Sequence, residues 1–400
     1  MRPHIAVVGA SLGGSRTVRA LRRRGFDGHV TLIGAEPHLP YDRPPLSKGF
    51  LTAEEATPKH LEAGDLFDSV ETRLNVRAVA LRPADREIET DDGDRIRVDH
   101  VVVATGVAAR RLPGDSPRAG VHTLRTLDDA EAVRRGLANT ERVVIVGAGF
   151  IGCEVAAAAR HLGVDVVMVD PQAAPVVRGV GAEVGAAFAD LHRGHGVDLR
   201  LRTSVTRVEG FDRVRAVQLS DGSRITTDML IVGIGADPQT GWLAGSGLTL
   251  NNGMVCDSHC RAVGGGGHVW AVGDVARWHS VRYDELLRLE HWTNAAEQGA
   301  HVAASILAGD AATPYDPLPY AWSDQYGSKF QILGRTQPDY ETEVLSGSFQ
   351  ESRYLVGFFK SGVLHGVLGR SMPTLVARYR SLLTEPADHA RAREGALMAT

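Results

Sequence analysis

Cysteine is scarce in this chain: Cys153, Cys256 and Cys260 are the only three in 400 residues, and no two form a C-x-x-C pair. That is too few for a disulfide framework, and three scattered thiols cannot ligate an iron–sulfur cluster within the chain. Long apolar runs are missing too, since none approaches the roughly 20 residues that a membrane-spanning helix needs. Met1-Arg2-Pro3-His4 leads directly into the apolar stretch Ile5–Val8, which leaves no room for a signal peptide and makes the cytoplasm the expected compartment. Nor does charge of one sign dominate: the formal net charge is −4, so no overall basic field exists to hold nucleic acid or an anionic membrane. Histidine is plentiful, yet His192, His195, His259 and His268 fall in no metal-ligand spacing, and no metal is expected. With 43% hydrophobic and 23% charged residues, the composition is that of an ordinary globular protein with length for two or three domains.

What is present is a duplication. Ile5–Val8 reads as a strand, followed by a glycine turn, a helix through Arg24 and a second strand, Val30–Ile33. The same order returns in Val143–Val146, the turn Gly147-Ala148-Gly149-Phe150-Ile151-Gly152, an Ala-rich helix to His161, and Val164–Val169. Each copy continues with a hairpin, around Asp92-Gly93 and Asp221-Gly222, and then an apolar strand ending in small residues, Ala104-Thr105-Gly106 and Gly233-Ile234-Gly235. His268–Asp274 reads as a buried strand that carries an Asp to the start of a later helix and returns the chain to the first copy. The expected division is a first domain over residues 1–110 and 236–314, a second over 111–235, and an α+β C-terminal domain over 315–400. Its strands are Tyr354–Phe359 and Val363–Leu368, its helix lies near Leu375–Leu383, and its tail after Pro386 is loose.

A glycine turn between strand and helix brings backbone N–H groups and the positive end of the helix dipole against a pyrophosphate. Gly147, Gly149 and Gly152 satisfy the full pattern in its proper setting. Asp170 ends the next strand, where a carboxylate accepts from ribose hydroxyls and repels a 2′-phosphate, which favours NADH over NADPH. Arg178 follows soon after as a residue that could meet a phosphate instead. In the first turn, Gly9-Ala10-Ser11-Leu12-Gly13-Gly14, Ser11 replaces the middle glycine, and its hydroxyl suits either a phosphate or the helix cap. Glu36 is the ribose candidate there.

The segments Pro40-Tyr41-Asp42-Arg43-Pro44-Pro45-Leu46-Ser47-Lys48, Ala104-Thr105-Gly106, Val272-Gly273-Asp274 and Pro319-Tyr320-Ala321-Trp322-Ser323-Asp324-Gln325-Tyr326 together give the chain a closer likeness. It resembles the NADH-dependent ferredoxin reductases of the putidaredoxin-reductase and aromatic-dioxygenase type, over nearly its whole length. The resemblance implies an α/β fold with two Rossmann-type domains, glutathione-reductase-like, plus the α+β C-terminal domain. It implies FAD on the first Rossmann domain, held by Gly9, Ser11, Gly13, Glu36, Arg43, Val79, Thr105, Gly106, Arg125, Asp274 and Trp292. It implies NADH on the second, held by Gly147, Gly149, Phe150, Gly152, Glu154, Asp170, Arg178 and Gly235. Lys48 is expected to approach the flavin, where a cation steadies negative charge or pairs with a nearby carboxylate, and Trp322 to cover the ring. Glu154 is expected on the first helical turn facing the nicotinamide, a capping acid being the plain alternative, and Phe150 either to shield the flavin or simply to pack. Two departures stand out: Ala35 where relatives often have an acid, and Gly369-Arg370-Ser371-Met372-Pro373 in place of an Asn-containing turn.

The function so implied is hydride transfer from NADH to FAD, followed by single-electron transfer to an external [2Fe–2S] ferredoxin that serves a cytochrome P450 or a Rieske oxygenase. A dithiol reductase would need a cysteine against the flavin, and Pro44-Pro45-Leu46-Ser47-Lys48 supplies none. A redox-sensing flavoprotein or a quinone reductase would carry the same nucleotide motifs. Arg277, Lys329 and Arg335 are candidates for a basic rim that steers an acidic ferredoxin.

Overall fold

The computed structural model describes residues 2–61, 64–114 and 118–397. The chain falls into two units, Met1–Asp42 with Pro58–Ala108 and Asp237–Pro317, and Arg43–Thr57 with Ala109–Ala236 and Leu318–Thr400. The chain crosses between the units at Ala108/Ala109, Ala236/Asp237 and Pro317/Leu318, and the C-terminal region expected as a third domain falls in the second unit. The short segment Arg43–Thr57, whose sequence gave no sign of a boundary, also belongs to the second unit.

The first unit is built on a parallel sheet in the order Val269–Ala271, His100–Val103, His4–Val8, His29–Gly34, Glu71–Leu74. Its central strand is buried along Ile5–Val8 and reads as a continuous apolar run, as a strand covered on both faces must. The strand Val269–Ala271 lies beside His100–Val103, so the chain does return to the first unit there. Asp274, however, follows in a short 3-10 turn, Gly273–Val275, and the chain continues as the strand Ala276–Ser280. The reason is the alternating burial of Ala276, Trp278 and Ser280, a period of two that a helix cannot use. The later helix expected beyond Asp274 is Trp292–Ala308, which packs against the Gly273–Val275 turn.

The second unit repeats the plan in the order Asp198–Leu201, Asp165–Asp170, Arg142–Val146, Met229–Val232, Val121–His122. Register repeats as well. Ile145 pairs with Met168 and Ile231 as Val7 pairs with Leu32 and Val102. A three-stranded antiparallel meander follows in each unit, and its final turn carries Gly93 or Gly222 at φ +89° and +84°.

The C-terminal region forms a five-stranded antiparallel sheet, Tyr320–Gln325, Ser328–Gly334, Val363–Arg370, Tyr354–Lys360, Glu341–Gly347, with the helix Pro373–Leu382 against it. One core joins this sheet to the nucleotide-type fold of the same unit: Phe330, Tyr354, Phe358 and Leu368 pack with Val180, Val184 and Phe188. The tail is not loose. His389–Leu397 is a helix that buries Ala392 and Ala396, four residues apart on one face. The Tyr379 hydroxyl donates to the carbonyl of Ala392 at 2.6 Å, and His389 stacks on Phe359 at 3.7 Å. Arg393 Nε donates to Glu343 Oε1 on the sheet at 2.5 Å, so part of the arginine content of the tail is tied down as well.

Phe188 is fully buried, 4.4 Å from the Phe330 ring and 6.1 Å from Phe150. Phe188→Ala should therefore cost about 3–5 kcal/mol of stability, read as a lowered midpoint in chemical denaturation.

Candidate functional site

The two glycine turns are closed by the same pair of contacts. A Cβ on Gly9 would lie 2.2 Å from the carbonyl oxygen of Ala104, and one on Gly147 would lie 2.2 Å from that of Gly233. A Cβ on Gly14 would lie 2.0 Å from the Gly9 oxygen, and one on Gly152 would lie 2.0 Å from the Gly147 oxygen. Real Cβ atoms do not approach so closely, so each turn demands glycine at both ends. Gly14 is therefore the third glycine of the first turn, a residue the sequence reading passed over in favour of Gly13. Gly13 instead faces the Val272 side chain.

The middle position is open in both copies. Gly149 is the N-cap of the helix Phe150–His161, and no heavy atom stands within 4 Å of where its Cβ would be. Ser11 holds the matching place at the N-cap of Leu12–Arg23, and its side chain makes no capping hydrogen bond. Both turns thus fit a dinucleotide pyrophosphate: closed glycines shape the loop, and an open one or a small hydroxyl faces outward at a helix N-terminus.

In the first unit, Glu36 follows the strand His29–Gly34 and accepts from the Tyr41 hydroxyl at 2.5 Å. Trp292 opens the helix Trp292–Ala308 and donates its indole N–H to Asp42 Oδ1 at 2.7 Å, which fixes the ring. Thr105 donates to the carbonyl of Gln239 at 2.9 Å, Gly106 sits at φ +67°, and Val79 is exposed on the strand Ala78–Arg82. The Gly273 N–H beside Asp274 donates to Gln298 Oε1 at 2.7 Å.

Four residues expected at FAD, Arg43, Lys48, Arg125 and Trp322, belong to the second unit. Arg43 donates to the Arg125 carbonyl at 3.2 Å, and Trp322 stacks near Tyr320 with ring centres 6.2 Å apart. Asp170 is more than a strand-end acid: Oδ2 accepts from the Ala148 N–H of the glycine turn and Oδ1 from the Gln172 N–H, each at 2.7 Å. Arg178 is exposed on the helix Val177–Gly194, and Gly235 sits at φ +106°. Phe150 packs edge-to-face on Phe188.

Glu154 does not cap its helix. It lies on the second turn of Phe150–His161, only 3% exposed, with Lys48 Nζ 2.7 Å from Oε2. Ser47 donates to Oε2 at 2.5 Å and Ser323 to Oε1 at 2.6 Å. Lys48 Nζ also donates to the Pro44 carbonyl at 3.1 Å. A buried carboxylate is tolerated when its lone pairs are met in this way. Ser47 and Ser323 were missed as site residues, although each stands in a segment that carried the resemblance. The alternation along Tyr320–Gln325, which buries Ser323 and Gln325 on one face, was the available signal.

Cys153, Cys256 and Cys260 are free and buried, and burial pushes all three well above the ordinary thiol range. Among the described residues no cluster of His, Cys, Asp or Glu could hold a metal, and no helix is long and apolar enough to cross a membrane.

Residues 3–299 match the family model described as pyridine nucleotide-disulphide oxidoreductase, and residues 320–396 match that described as reductase C-terminal. The chain is 37% identical over 377 residues to the ferredoxin reductase component of chlorobenzene dioxygenase from Cupriavidus sp. (strain PS12), covering 93% of this chain and 90% of that one. The crystal structure of the ferredoxin reductase for the CYP199A2 system from Rhodopseudomonas palustris superposes with a TM-score of 0.92 at 32% identity, over 98% of this chain and 97% of the other. The reductase of the covalent putidaredoxin reductase–putidaredoxin complex gives 0.92 at 30% identity, over 99% and 98%.

Removing the carboxylate strands one ammonium and two hydroxyls, although Lys48 is 18% exposed and can regain water. Glu154→Ala should cost about 2 kcal/mol in chemical denaturation, and Glu154→Gln, which keeps the acceptor oxygen, less.

Proposed function

The chain belongs to the pyridine nucleotide-disulphide oxidoreductase family, and on that premise we propose that it is an FAD-dependent ferredoxin reductase. It takes hydride from NADH and hands single electrons to a [2Fe–2S] ferredoxin that serves a cytochrome P450 or a Rieske oxygenase. The observation that carries this reading is the pair of glycine turns, closed by the same two carbonyl contacts in one chain. Bound FAD supplies the exchange between a two-electron donor and a one-electron acceptor.

The protein's share is binding and orientation. In the first unit Gly9, Ser11 and Gly14 shape the pyrophosphate turn for FAD, Glu36 takes the adenine ribose, and Asp274 and Trp292 meet the ribityl and ring end. In the second, Gly147, Gly149 and Gly152 shape the turn for NADH, Asp170 takes its ribose, and Glu154, held by Lys48, faces the nicotinamide. The Asp170 carboxylate repels a 2′-phosphate, which supports NADH as the donor. Cytoplasm is the compartment we assign, supported by three unpaired thiols.

The basic rim proposed for ferredoxin docking narrows to one residue. Arg335 has its Nε and one terminal nitrogen buried, and Arg277 is half-buried with a terminal nitrogen donating to the Asn251 carbonyl at 3.1 Å. Lys329 keeps half its side chain exposed, 3.4 Å from Asp324.

Purified protein mixed anaerobically with NADH or NADPH in a stopped-flow instrument should bleach its flavin absorbance much faster with NADH, then reduce an added [2Fe–2S] ferredoxin at catalytic rates. Bleaching with no transfer to any ferredoxin would move the reading to a redox sensor or quinone reductase. Lys329→Glu should slow ferredoxin association severalfold at low salt and leave ferricyanide reduction unchanged; equal loss of both would remove the docking role.

A further inference from the structure

The polar side chains behind Glu154 form one hydrogen-bonded array. The Tyr326 hydroxyl lies 2.9 Å from His192 Nδ1, and His192 Nε2 lies 3.2 Å from Gln325 Oε1. Gln325 Nε2 donates to Ser323 Oγ at 3.0 Å, and Ser323 donates to Glu154 Oε1 at 2.6 Å. His192, Gln325, Ser323 and Glu154 are 0%, 1%, 1% and 3% exposed.

The direction of the array follows from the groups themselves. A carboxylate only accepts, so the Ser323 proton points at Glu154, and the Ser323 oxygen is left to accept from the Gln325 amide nitrogen. The amide oxygen then faces His192, which must carry its proton on Nε2 and accept from Tyr326 at Nδ1. Burial pushes the His192 imidazole down to about 4, so the ring is neutral near pH 7, with one donor and one acceptor as the array requires. Gln325 is the central link of this order: its amide nitrogen donates to Ser323 and its amide oxygen accepts from His192. Tyr326 stacks on His195 at 3.8 Å, and both line a cavity of about 450 Å³ that also reaches Lys48 and Glu154.

We propose that Gln325 is a positioning residue: it aligns four successive hydrogen bonds toward Glu154, and so holds that carboxylate and Lys48 in the one geometry that hydride transfer from NADH uses. The proposal rests on the reading of Glu154 as facing the nicotinamide. Ser323 transmits the alignment, and His192 with Tyr326 anchors it.

The test uses the full-length, FAD-loaded protein. Gln325→Glu supplies a carboxylate that accepts from both neighbours, which turns the Ser323 proton away from Glu154 and favours a charged His192. By NMR of labelled histidine, the His192 pKa should rise by roughly 1–3 units. In stopped flow, flavin reduction at saturating NADH should slow about tenfold, while the apparent Kd for NADH stays within about twofold. Adding Ser323→Ala should cause no further slowing, since both changes cut the same line. Gln325→Leu, which breaks the array without adding charge, should slow reduction to a similar degree with no rise in the His192 pKa.

Wild-type reduction rates in both Gln325 variants, with the His192 shift present in Gln325→Glu, would overturn the positioning role. Fully additive losses with Ser323→Ala would overturn transmission through Ser323. A Glu154→Gln variant that reduces at the wild-type rate would instead sink the assignment of Glu154, and this proposal with it, while the His192 titration still reports on the array.

Discussion

Glu154 is the point on which the second unit converges. Its carboxylate is met by Lys48 and Ser47 from the segment Arg43–Thr57 and by Ser323 from the C-terminal sheet, while its own helix rises from the second glycine turn. Three stretches far apart in sequence are therefore tied at one buried charge. An unmet carboxylate at that depth would cost several kcal/mol, so any arrangement of these segments that leaves it unpaired is strongly disfavoured. That constraint accounts for why Arg43–Thr57 joins the second unit although its neighbours in sequence belong to the first. The segment is held elsewhere too, by Arg134 donating to the Ala53 carbonyl at 2.8 Å and by Leu51 packed with Val133 and Leu137.

The two turns depend on a second constraint of a different kind. Where Gly152 meets the Gly147 oxygen, and Gly14 that of Gly9, the helix can begin only if no side chain intervenes. Such sites are written into local sequence, because the requirement falls on one residue and its immediate neighbours. The duplication, both parallel sheets and the hairpins around Gly93 and Gly222 were legible for that reason: apolar runs, glycine spacing and strand-end acids all act over a few residues.

What was not legible depended on distant partners. Nothing in Pro44–Lys48 reveals that Ser47 donates to a carboxylate 107 residues away, and nothing in the strand Tyr320–Gln325 names Glu154 as its target. The Ala/Arg-rich stretch after Pro386 suggested loose chain, yet two buried alanines, His389 stacked on Phe359 and Arg393 bonded to Glu343 dock the last helix once a sheet is there to receive it. Arg335 looked like a surface charge because sequence gives no account of depth.

Asp170 serves two masters. Its carboxylate ties the Ala148 N–H of the glycine turn to the end of the neighbouring strand, and it is also the residue we propose reads the nucleotide ribose. On the function we propose, coenzyme preference and loop architecture are encoded by the same side chain. A lineage, or an engineer, that replaces this acid to admit a phosphorylated coenzyme must also find another acceptor for the turn, so the trait cannot evolve by one substitution without disturbing the scaffold that presents it.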